Sequence, residues 1–164
     1  MRKVNTGDPR PLDRTDRHIL SELQRDGRIS NVALAKKVNL TPTPCLERVR
    51  RLEREGYIRG YTALLDPKKV GAGLLVFVEI SLLRNSPDTF SHFRREASKL
   101  TGILECHLVS GNFDYLIKAR VKDMGEYRKL LGEKILPLPG VSDSRSYVVM
   151  EEVKETTELQ LLAK

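Results

Sequence analysis

The chain has 164 residues, of which 40% are hydrophobic, so it is long enough for one ordinary domain or two small ones. No apolar run approaches the ~20 residues that a membrane-spanning helix needs, and the polar start lacks the apolar segment of a signal peptide. Cys45 and Cys106 lie far apart, which indicates neither a disulfide framework nor a zinc site. We therefore expect a cytoplasmic protein without a metal or cofactor.

The net charge of +7 is concentrated in the first part of the chain. Residues 1–60 hold 14 Lys and Arg against 8 Asp and Glu, whereas residues 61–164 hold 15 against 14. A basic segment beside a nearly neutral one predicts one module that binds a polyanion and a second module with another role. At this point the polyanion could be nucleic acid or an anionic membrane surface.

Local signals predict two short helices at the start of the basic module. Asp13 is a candidate N-cap of the first helix, with Asp16 in its first turn. Ser30 is a candidate N-cap of the second helix. Asn39 tolerates the left-handed conformation that ends helices, so we expect the second helix to end there.

A third helix is predicted from Thr41-Pro42-Thr43-Pro44 towards Gly56, because a helix accepts prolines only in its first turn. Its hydrophobic residues occupy one arc of a helical wheel, opposite an arc of polar and basic residues. Residues 57–61 can then form the strand of a wing. On the helical wheel, Arg48 lies on the flank and the outer arc holds Thr43, Glu47, Arg50, Arg51 and Arg54.

Two short helices joined by a tight turn, the second with arginines on its outer face, form the arrangement that enters the DNA major groove. The arginines alternate with glutamates and could simply solvate an exposed face. Their position on the second helix of a helix-turn-helix, in a basic segment, favours DNA. The predicted DNA contacts are Asn31, Thr41, Thr43, Glu47, Arg48, Arg51 and Arg54.

The neutral module has the βαββαβ order of a ferredoxin-like sandwich, so the predicted fold class is α+β. Both helices of such a sandwich cover one face of the sheet. Leu75 and Phe77 add apolar surface to the other face, which predicts a homodimer. The predicted elements are strand 74–83, a helix that begins at Ser86-Pro87-Asp88, strand 103–110, strand 113–121, a helix that begins at Asp123, and strand 141–152.

Several motifs resemble the Lrp/AsnC family of transcriptional regulators. The resemblance covers roughly residues 12–154 and implies a winged helix-turn-helix joined to a ferredoxin-like RAM domain, akin to the ACT fold, which senses a small amino acid. It also implies dimers that assemble into octamers or related rings. The motifs are Leu12-Asp13-Arg14-Thr15-Asp16, Asp26-Gly27-Arg28-Ile29-Ser30, Thr41-Pro42-Thr43-Pro44-Cys45, Arg48-Val49-Arg50-Arg51-Leu52-Glu53, and the segments 74–80, 105–111, 113–116 and 147–153.

An amino-acid site needs donors for a carboxylate, an acceptor for an ammonium group and an apolar wall. Gly111 lets a ligand approach the backbone, Asp114 can accept from the ammonium group, and Leu108 and Met124 can line the side-chain pocket. The resemblance adds the segment Tyr147-Val148-Val149. Each has a structural alternative, because Asp114 can cap the hairpin, Met124 can be core, and the last segment can be ordinary strand packing.

We therefore expect a non-enzymatic, nucleoid-associated regulator that binds specific sites in double-stranded DNA near amino-acid metabolism genes. The resemblance implies that L-leucine or a similar small amino acid binds at its subunit interfaces. The alternative is an effector-independent architectural protein that organises DNA. The predicted organisation is a flexible arm at 1–11, a winged helix-turn-helix at 12–61 with its helix-turn-helix at about 31–50, a connector at 62–73, a dimerisation and effector domain at 74–154, and a tail at 155–164.

Overall fold

The computed structural model describes residues 10–83 and 88–161, and it divides the chain into two compact units. The helical unit consists of Met1–Leu64 with Lys154–Lys164, and the sheet unit consists of Leu65–Val153. The predicted arm up to residue 9 and the helix start at Ser86-Pro87 lie outside the described residues. Within those ranges no helix combines the length and hydropathy needed to cross a bilayer.

The helical unit contains three helices whose predicted start and stop signals are confirmed. At the start of the first helix, the Asp16 N–H donates to Asp13 Oδ1 at 2.8 Å and the Asp13 N–H donates to Asp16 Oδ2 at 3.2 Å, which completes a capping box. Ser30 Oγ accepts from the Ala33 N–H, and Asn39 has a φ of 57°. The helices are α1 (Arg14–Arg25), α2 (Asn31–Lys37) and α3 (Pro42–Arg54).

A small hydrophobic core holds the three helices together. Ile19 of α1 and Cys45 and Leu52 of α3 have no solvent exposure, and Leu34 of α2 has almost none. Burying one such aliphatic side chain stabilises a fold by about 1.5–3 kcal/mol. The core therefore fixes the buried face of α3 against α1 and α2, which leaves its opposite face available to solvent.

Residues 57–61, predicted as the strand of a wing, form no strand, so that prediction is wrong. Tyr57 and Ile58 pack against the helical core, and the Tyr57 hydroxyl donates to the Arg10 carbonyl at 2.9 Å. The Tyr61 hydroxyl donates to Glu53 Oε1 at 3.0 Å. Instead of pairing as a strand, these residues pack against the helical core or form hydrogen bonds to α3 and to the segment before α1.

Part of the predicted tail is held against α1. Gln24 forms two hydrogen bonds with the backbone of Leu159: its Nε2 donates to the Leu159 carbonyl at 3.0 Å, and its Oε1 accepts from the Leu159 N–H at 2.7 Å. Arg25 Nε lies 3.4 Å from Glu158 Oε1, and Leu161 packs against the helical core. The end of the described chain is thus an ordered part of the helical unit.

The sheet unit has the predicted ferredoxin-like fold. Its four antiparallel strands lie in the order β2-β3-β1-β4, and the core is formed between one face of the sheet and the helices. Val76, Ile80, Phe93 and Ile117 are fully buried there. The elements are β1 (Leu74–Leu82), α4 (Thr89–Ala97), β2 (Ile103–Leu108), β3 (Tyr115–Val121), α5 (Met124–Lys129), which continues as the π-helical segment Leu130–Ile135, and β4 (Val141–Val148).

The strand directions give this sheet two chemically different ends. Ile80 pairs with Tyr115, and Tyr115 pairs with Leu108, so β1 and β2 end where β3 begins. We call this the hairpin end, after the β2–β3 connection. At the opposite end β3 ends, and its last residue, Val121, pairs with Leu74 at the start of β1. We call this the helix end, because α5 follows β3 there. The seven residues of β3 separate the two ends by about 20 Å.

Candidate nucleic-acid interface and ligand site

The exposed face of α3 carries a stripe of four polar side chains. They recur at intervals of three or four residues, which places them within a narrow arc of a 3.6-residue helix. Two of them are arginines, so the stripe combines positive charge with hydrogen-bonding groups. We call this set the α3 stripe; its members, all exposed, are Thr43, Glu47, Arg50 and Arg54.

The turn before α3 is fixed by a side chain of α2. Asn31 Nδ2 donates to the Pro42 carbonyl at 2.8 Å, which ties the first residue of α2 to the first residue of α3. Thr41 is the exposed N-cap residue, but its side chain makes no capping hydrogen bond. Asn31 therefore has a positioning role, whereas Thr41 and the α3 stripe present free polar surface.

Arg51 differs from the sequence prediction, which placed it on the outer arc of α3. Its Nη2 lies 2.5 Å from Asp16 Oδ2, and only 14% of its side chain is exposed. Arg48 Nη1 donates to Asp13 Oδ2 at 2.6 Å and to Asp16 Oδ1 at 2.8 Å. The long arginine side chains turn back towards α1, because the carboxylate of the fully buried Asp16 needs positive partners.

These four side chains form an ionic cluster that joins α1 to α3. Burial raises the pKa of Asp13, but the hydrogen bond from Arg48 and other polar contacts outweigh it, so this pKa lies below its ordinary value. Hydrogen bonds to Asp13 and Asp16 raise the pKa of Arg48. Arg51 completes the cluster from the next turn of α3. The cluster sets the rotation of α3 and thereby the direction of its exposed stripe.

In the sheet unit, Asp114 is tied into the hairpin end. Its Oδ2 accepts from the Leu82 N–H at 2.8 Å, and its own N–H donates to the Ile80 carbonyl at 2.9 Å. The Asp114 carbonyl accepts from the Val109 N–H at 3.0 Å. Asp114 is buried, so one carboxylate oxygen already has a structural partner, as the hairpin-capping alternative predicts.

Other predicted ligand residues lie near Asp114 on the same loop. Leu108 ends β2 with 62% of its surface exposed. Gly111 has a φ of 153°, and a Cβ at that position would meet no atom within 4 Å. The hairpin end therefore combines accessible backbone, one buried carboxylate and an exposed apolar side chain.

The remaining predicted ligand residues lie away from the hairpin loop, with Met124 at the helix end and Tyr147-Val148 near the middle of the sheet. Met124 begins α5 and is 49% exposed, so it is not a core residue. Tyr147 and Val148 are exposed on the edge strand β4, and the Val149 N–H donates to the Leu75 carbonyl at 3.0 Å. The sequence predicts one pocket for all these residues, but in a single chain Met124 follows the far end of β3, about 20 Å from the hairpin end, and Tyr147 is level with Lys118, midway between the two ends.

A cavity beside the hairpin loop contains charged residues that the sequence analysis missed. Its volume is about 170 Å³, and Glu79, Asp143 and Arg145 are among its lining residues. Glu79 and Arg145 pair directly across β1 and β4. Only the strand register brings them together, since 66 positions separate them along the chain. A guanidinium group beside two carboxylates can bind both the carboxylate and the ammonium group of an amino-acid zwitterion.

Two family models match consecutive parts of the chain. A winged helix-turn-helix DNA-binding model matches residues 12–59, and an Lrp/AsnC ligand binding domain model matches residues 75–159. The leucine-responsive regulatory proteins of Escherichia coli (strain K12) and Salmonella typhimurium are each 67% identical to the chain over 148 residues, which is 90% of this chain and 90% of each relative.

Solved structures of transcriptional regulators are also similar to the chain. A transcriptional regulator from Neisseria meningitidis, in complex with L-methionine, is 39% identical, with a TM-score of 0.87 over 92% of this chain and 97% of that one. An AsnC family regulator from Agrobacterium tumefaciens is 38% identical, with a TM-score of 0.86 over 91% and 97% of the two chains. The chain therefore belongs to the Lrp/AsnC family: it is a DNA-binding transcriptional regulator with an amino-acid-binding domain, and not an enzyme.

Proposed function

We propose that the α3 stripe contacts base edges in the major groove of duplex DNA. Arginine can donate two hydrogen bonds to guanine, and glutamate can accept from the amino group of cytosine, so Arg50, Arg54 and Glu47 supply base-discriminating groups. Thr41 and Thr43 lie where α3 begins, the part of a recognition helix that contacts bases. Arg48 and Arg51 support binding indirectly, because their bonds to α1 orient the stripe.

Titration of a duplex from a target promoter, followed by gel shift, tests the stripe. Arg50→Ala and Arg54→Ala should each weaken binding by about tenfold or more and lower the salt slope by about one. Arg128→Ala is the matched control, since it removes an exposed arginine from α5 in the sheet unit. Equal affinity for the stripe variants and the control at physiological salt would contradict the assignment.

The face of the sheet opposite the helices supports a homodimer. Phe77 of β1 pairs in register with Tyr147 of β4, and Tyr147 is 44% exposed, so two aromatic residues occupy neighbouring positions on this face. Covering such an apolar patch with the same patch of a second copy gives a two-fold dimer. Two α3 helices about 34 Å apart would then fit successive major grooves. The family resemblance extends this assembly to octamers or larger rings.

Light scattering tests the dimer. Phe77→Lys should lower the molar mass at concentrations where the unaltered protein is oligomeric, because a lysine would have to be buried in the interface. Leu136→Lys, at an exposed apolar position after the π-helical segment, is the control. An unchanged mass for Phe77→Lys would exclude this face as the interface.

The effector that we propose is L-leucine or a similar small amino acid, bound where the hairpin end of one copy meets the helix end of another. The exposed Leu108 and Met124 would form the apolar wall. Arg145 would take the carboxylate, while Asp143 takes the ammonium group and Asp114 holds the hairpin in shape. The names of the leucine-responsive relatives and the L-methionine bound to the Neisseria regulator support this ligand class.

An effector that binds between copies favours the assembly that contains its site. A change of assembly alters how many α3 helices contact DNA together, and this couples the amino acid to transcription. The observation that carries the proposal is the separation of the two ends of the sheet, since one chain cannot close the pocket alone.

The molar mass of DNA-binding protein, measured with and without each of a panel of amino acids, tests this coupling. We expect L-leucine, or a chemically similar amino acid in the panel, to change the molar mass and the DNA affinity together. Arg145→Gln should abolish the response, whereas Arg128→Gln should keep it. Constant mass and affinity across the whole panel would favour effector-independent DNA organisation instead.

A further inference from the structure

A second cavity, of about 290 Å³, lies in the sheet unit between the end of α4 and the edge strand β2. It shares no lining residue with the cavity beside the hairpin loop. Its volume is near the lower end of the ~300–1,000 Å³ range of small-molecule pockets, which suits a ligand of few heavy atoms. It plays no part in the amino-acid site proposed above.

Tyr115 places a hydroxyl donor without an acceptor in the wall of this cavity. The residue is 3% exposed, and its hydroxyl proton has no acceptor among the described residues, since the neighbouring Arg94 guanidinium can only donate to the hydroxyl oxygen. Its ring cannot swing out, because it packs against Phe93 with ring centroids 4.4 Å apart and against Phe90 with centroids 6.1 Å apart. A buried hydroxyl donor without an acceptor costs about 1–3 kcal/mol of stability, so a ligand that supplies an acceptor stabilises the protein.

The charge of the cavity favours an anionic acceptor. Arg94, an exposed residue of α4, contributes a guanidinium group near the Tyr115 hydroxyl. Burial raises the pKa of Tyr115, with the charge of Arg94 acting in the opposite direction, so the phenol is protonated at neutral pH and acts as a donor. A hydroxyl donor beside a guanidinium group is a suitable pair for a carboxylate.

The cavity has no free carboxylate for an ammonium group. Glu105 is the one acidic residue among those that line it, and its two oxygens are taken by His107 Nε2 and by Lys118 Nζ, each at 3.0 Å. The other walls include the apolar side chains of Leu100, Ile103 and Leu104. This combination disfavours an amino acid and suits an acid whose remaining atoms are aliphatic.

We propose that this cavity binds a small aliphatic carboxylate that lacks an ammonium group, such as 4-methylpentanoate. The carboxylate lies between Arg94 and the Tyr115 hydroxyl, and the aliphatic chain lies against Leu100, Ile103 and Leu104. The regulator would then sense carbon skeletons without an amino group at a site separate from its amino-acid site.

Cys106 gives a local readout of occupancy. It lines the cavity and is half-buried, whereas Cys45 in the helical core has no exposure. The rate at which a thiol reagent modifies Cys106 in the full-length protein is measured with 4-methyl-2-oxopentanoate, with 4-methylpentanoate and with L-leucine as probes. We expect the two acids to slow modification severalfold and L-leucine to have little effect, while Cys45 stays unmodified.

Two variants locate the carboxylate. Arg94→Gln should weaken protection by tenfold or more, and Arg95→Gln, on the same helix but outside the cavity, should keep it. Tyr115→Phe should weaken protection severalfold without lowering the melting temperature of the free protein, because it removes an unsatisfied hydroxyl group. The thermal measurement separates loss of binding from loss of folding.

Three results would overturn the proposal. One is that neither acid, at 10 mM, slows the modification of Cys106, which would mean that the cavity does not bind this ligand class. Another is stronger protection by L-leucine than by the acids, which would make the cavity an amino-acid site. The third is protection by the acids that survives in both Arg94→Gln and Tyr115→Phe, which would place the acids elsewhere.

Discussion

The two units place their candidate sites differently. In the helical unit, one face of α3 carries the whole α3 stripe, and the ionic cluster that orients it is formed within the same unit. In the sheet unit, the predicted ligand residues are spread from the hairpin end, through the middle of the sheet, to Met124 at the helix end. A helix face is therefore a complete surface in one chain, whereas the ligand site that we propose in the sheet unit requires a second copy to bring the two ends together.

Subunit mixing is the strongest test of this difference. Leu108→Asp damages the hairpin end and Met124→Asp damages the helix end, and both positions are exposed enough to tolerate a charge. Each variant alone should lose the response of DNA binding to L-leucine. When the two are co-expressed, roughly one shared site in four has both halves intact, because each half is undamaged with even odds. We expect partial recovery of the response.

The control for mixing is a protein that carries both substitutions in one chain, co-expressed with Leu108→Asp. No shared site in that mixture has an intact hairpin end, so the response should stay absent. A pocket formed within one chain would give no recovery in either mixture. That result would remove the distinction between the two units.

The ionic cluster predicts a large effect on stability in the helical unit. Asp16→Asn removes the buried charge that Arg48 and Arg51 share, so that Arg51 loses its carboxylate partner and Arg48 retains only Asp13. Breaking a buried pair in this way costs about 3 kcal/mol. We expect the free energy of unfolding, from urea titration followed by circular dichroism at fixed protein concentration, to fall by that amount.

Asp26→Asn is the matched control, because Asp26 is exposed at the other end of α1. It should change the free energy of unfolding by less than about 1 kcal/mol. Equal effects of the two substitutions would mean that the cluster does not stabilise the contact between α1 and α3.

The local signals in the sequence predict the helices well and the long-range contacts less well. Asp13, Asp16 and Ser30 are recognisable caps, because a capping interaction spans only three residues. Arg51 is misplaced by the helical wheel, since an angle gives the direction of Cβ and not the path of a long side chain. Arg145 is missed because it becomes a partner of Glu79 only through the strand register.

The tail contact predicts an intermediate effect. Leu161→Ser removes an apolar contact with the helical core, and Gln24→Ala removes two hydrogen bonds to Leu159. Each should lower the free energy of unfolding of the helical unit by about 1 kcal/mol. Leu159→Ser is the control, because the exposed Leu159 binds Gln24 through its backbone alone. If all three variants match the unaltered protein, the tail does not stabilise α1.

The smallest predicted effect is a pH dependence that the Asp13–Arg48 contact gives to the helical unit. Burial raises the pKa of Asp13, but the bond from Arg48 and the other polar contacts keep it below 3.8, its ordinary value. Because the folded state has the lower pKa, the ionised carboxylate stabilises the fold above about pH 4, and this contribution is lost as the pH falls through the folded pKa. Asp13→Asn should therefore lose less stability than the unaltered protein between pH 5 and pH 3, as measured by urea midpoints. The control is Asp123→Asn, which changes a helix cap in the sheet unit and should leave the pH dependence of the helical unit as it is. If Asp13→Asn also leaves the change of the urea midpoint with pH unaltered, Arg48 binds Asp16 alone.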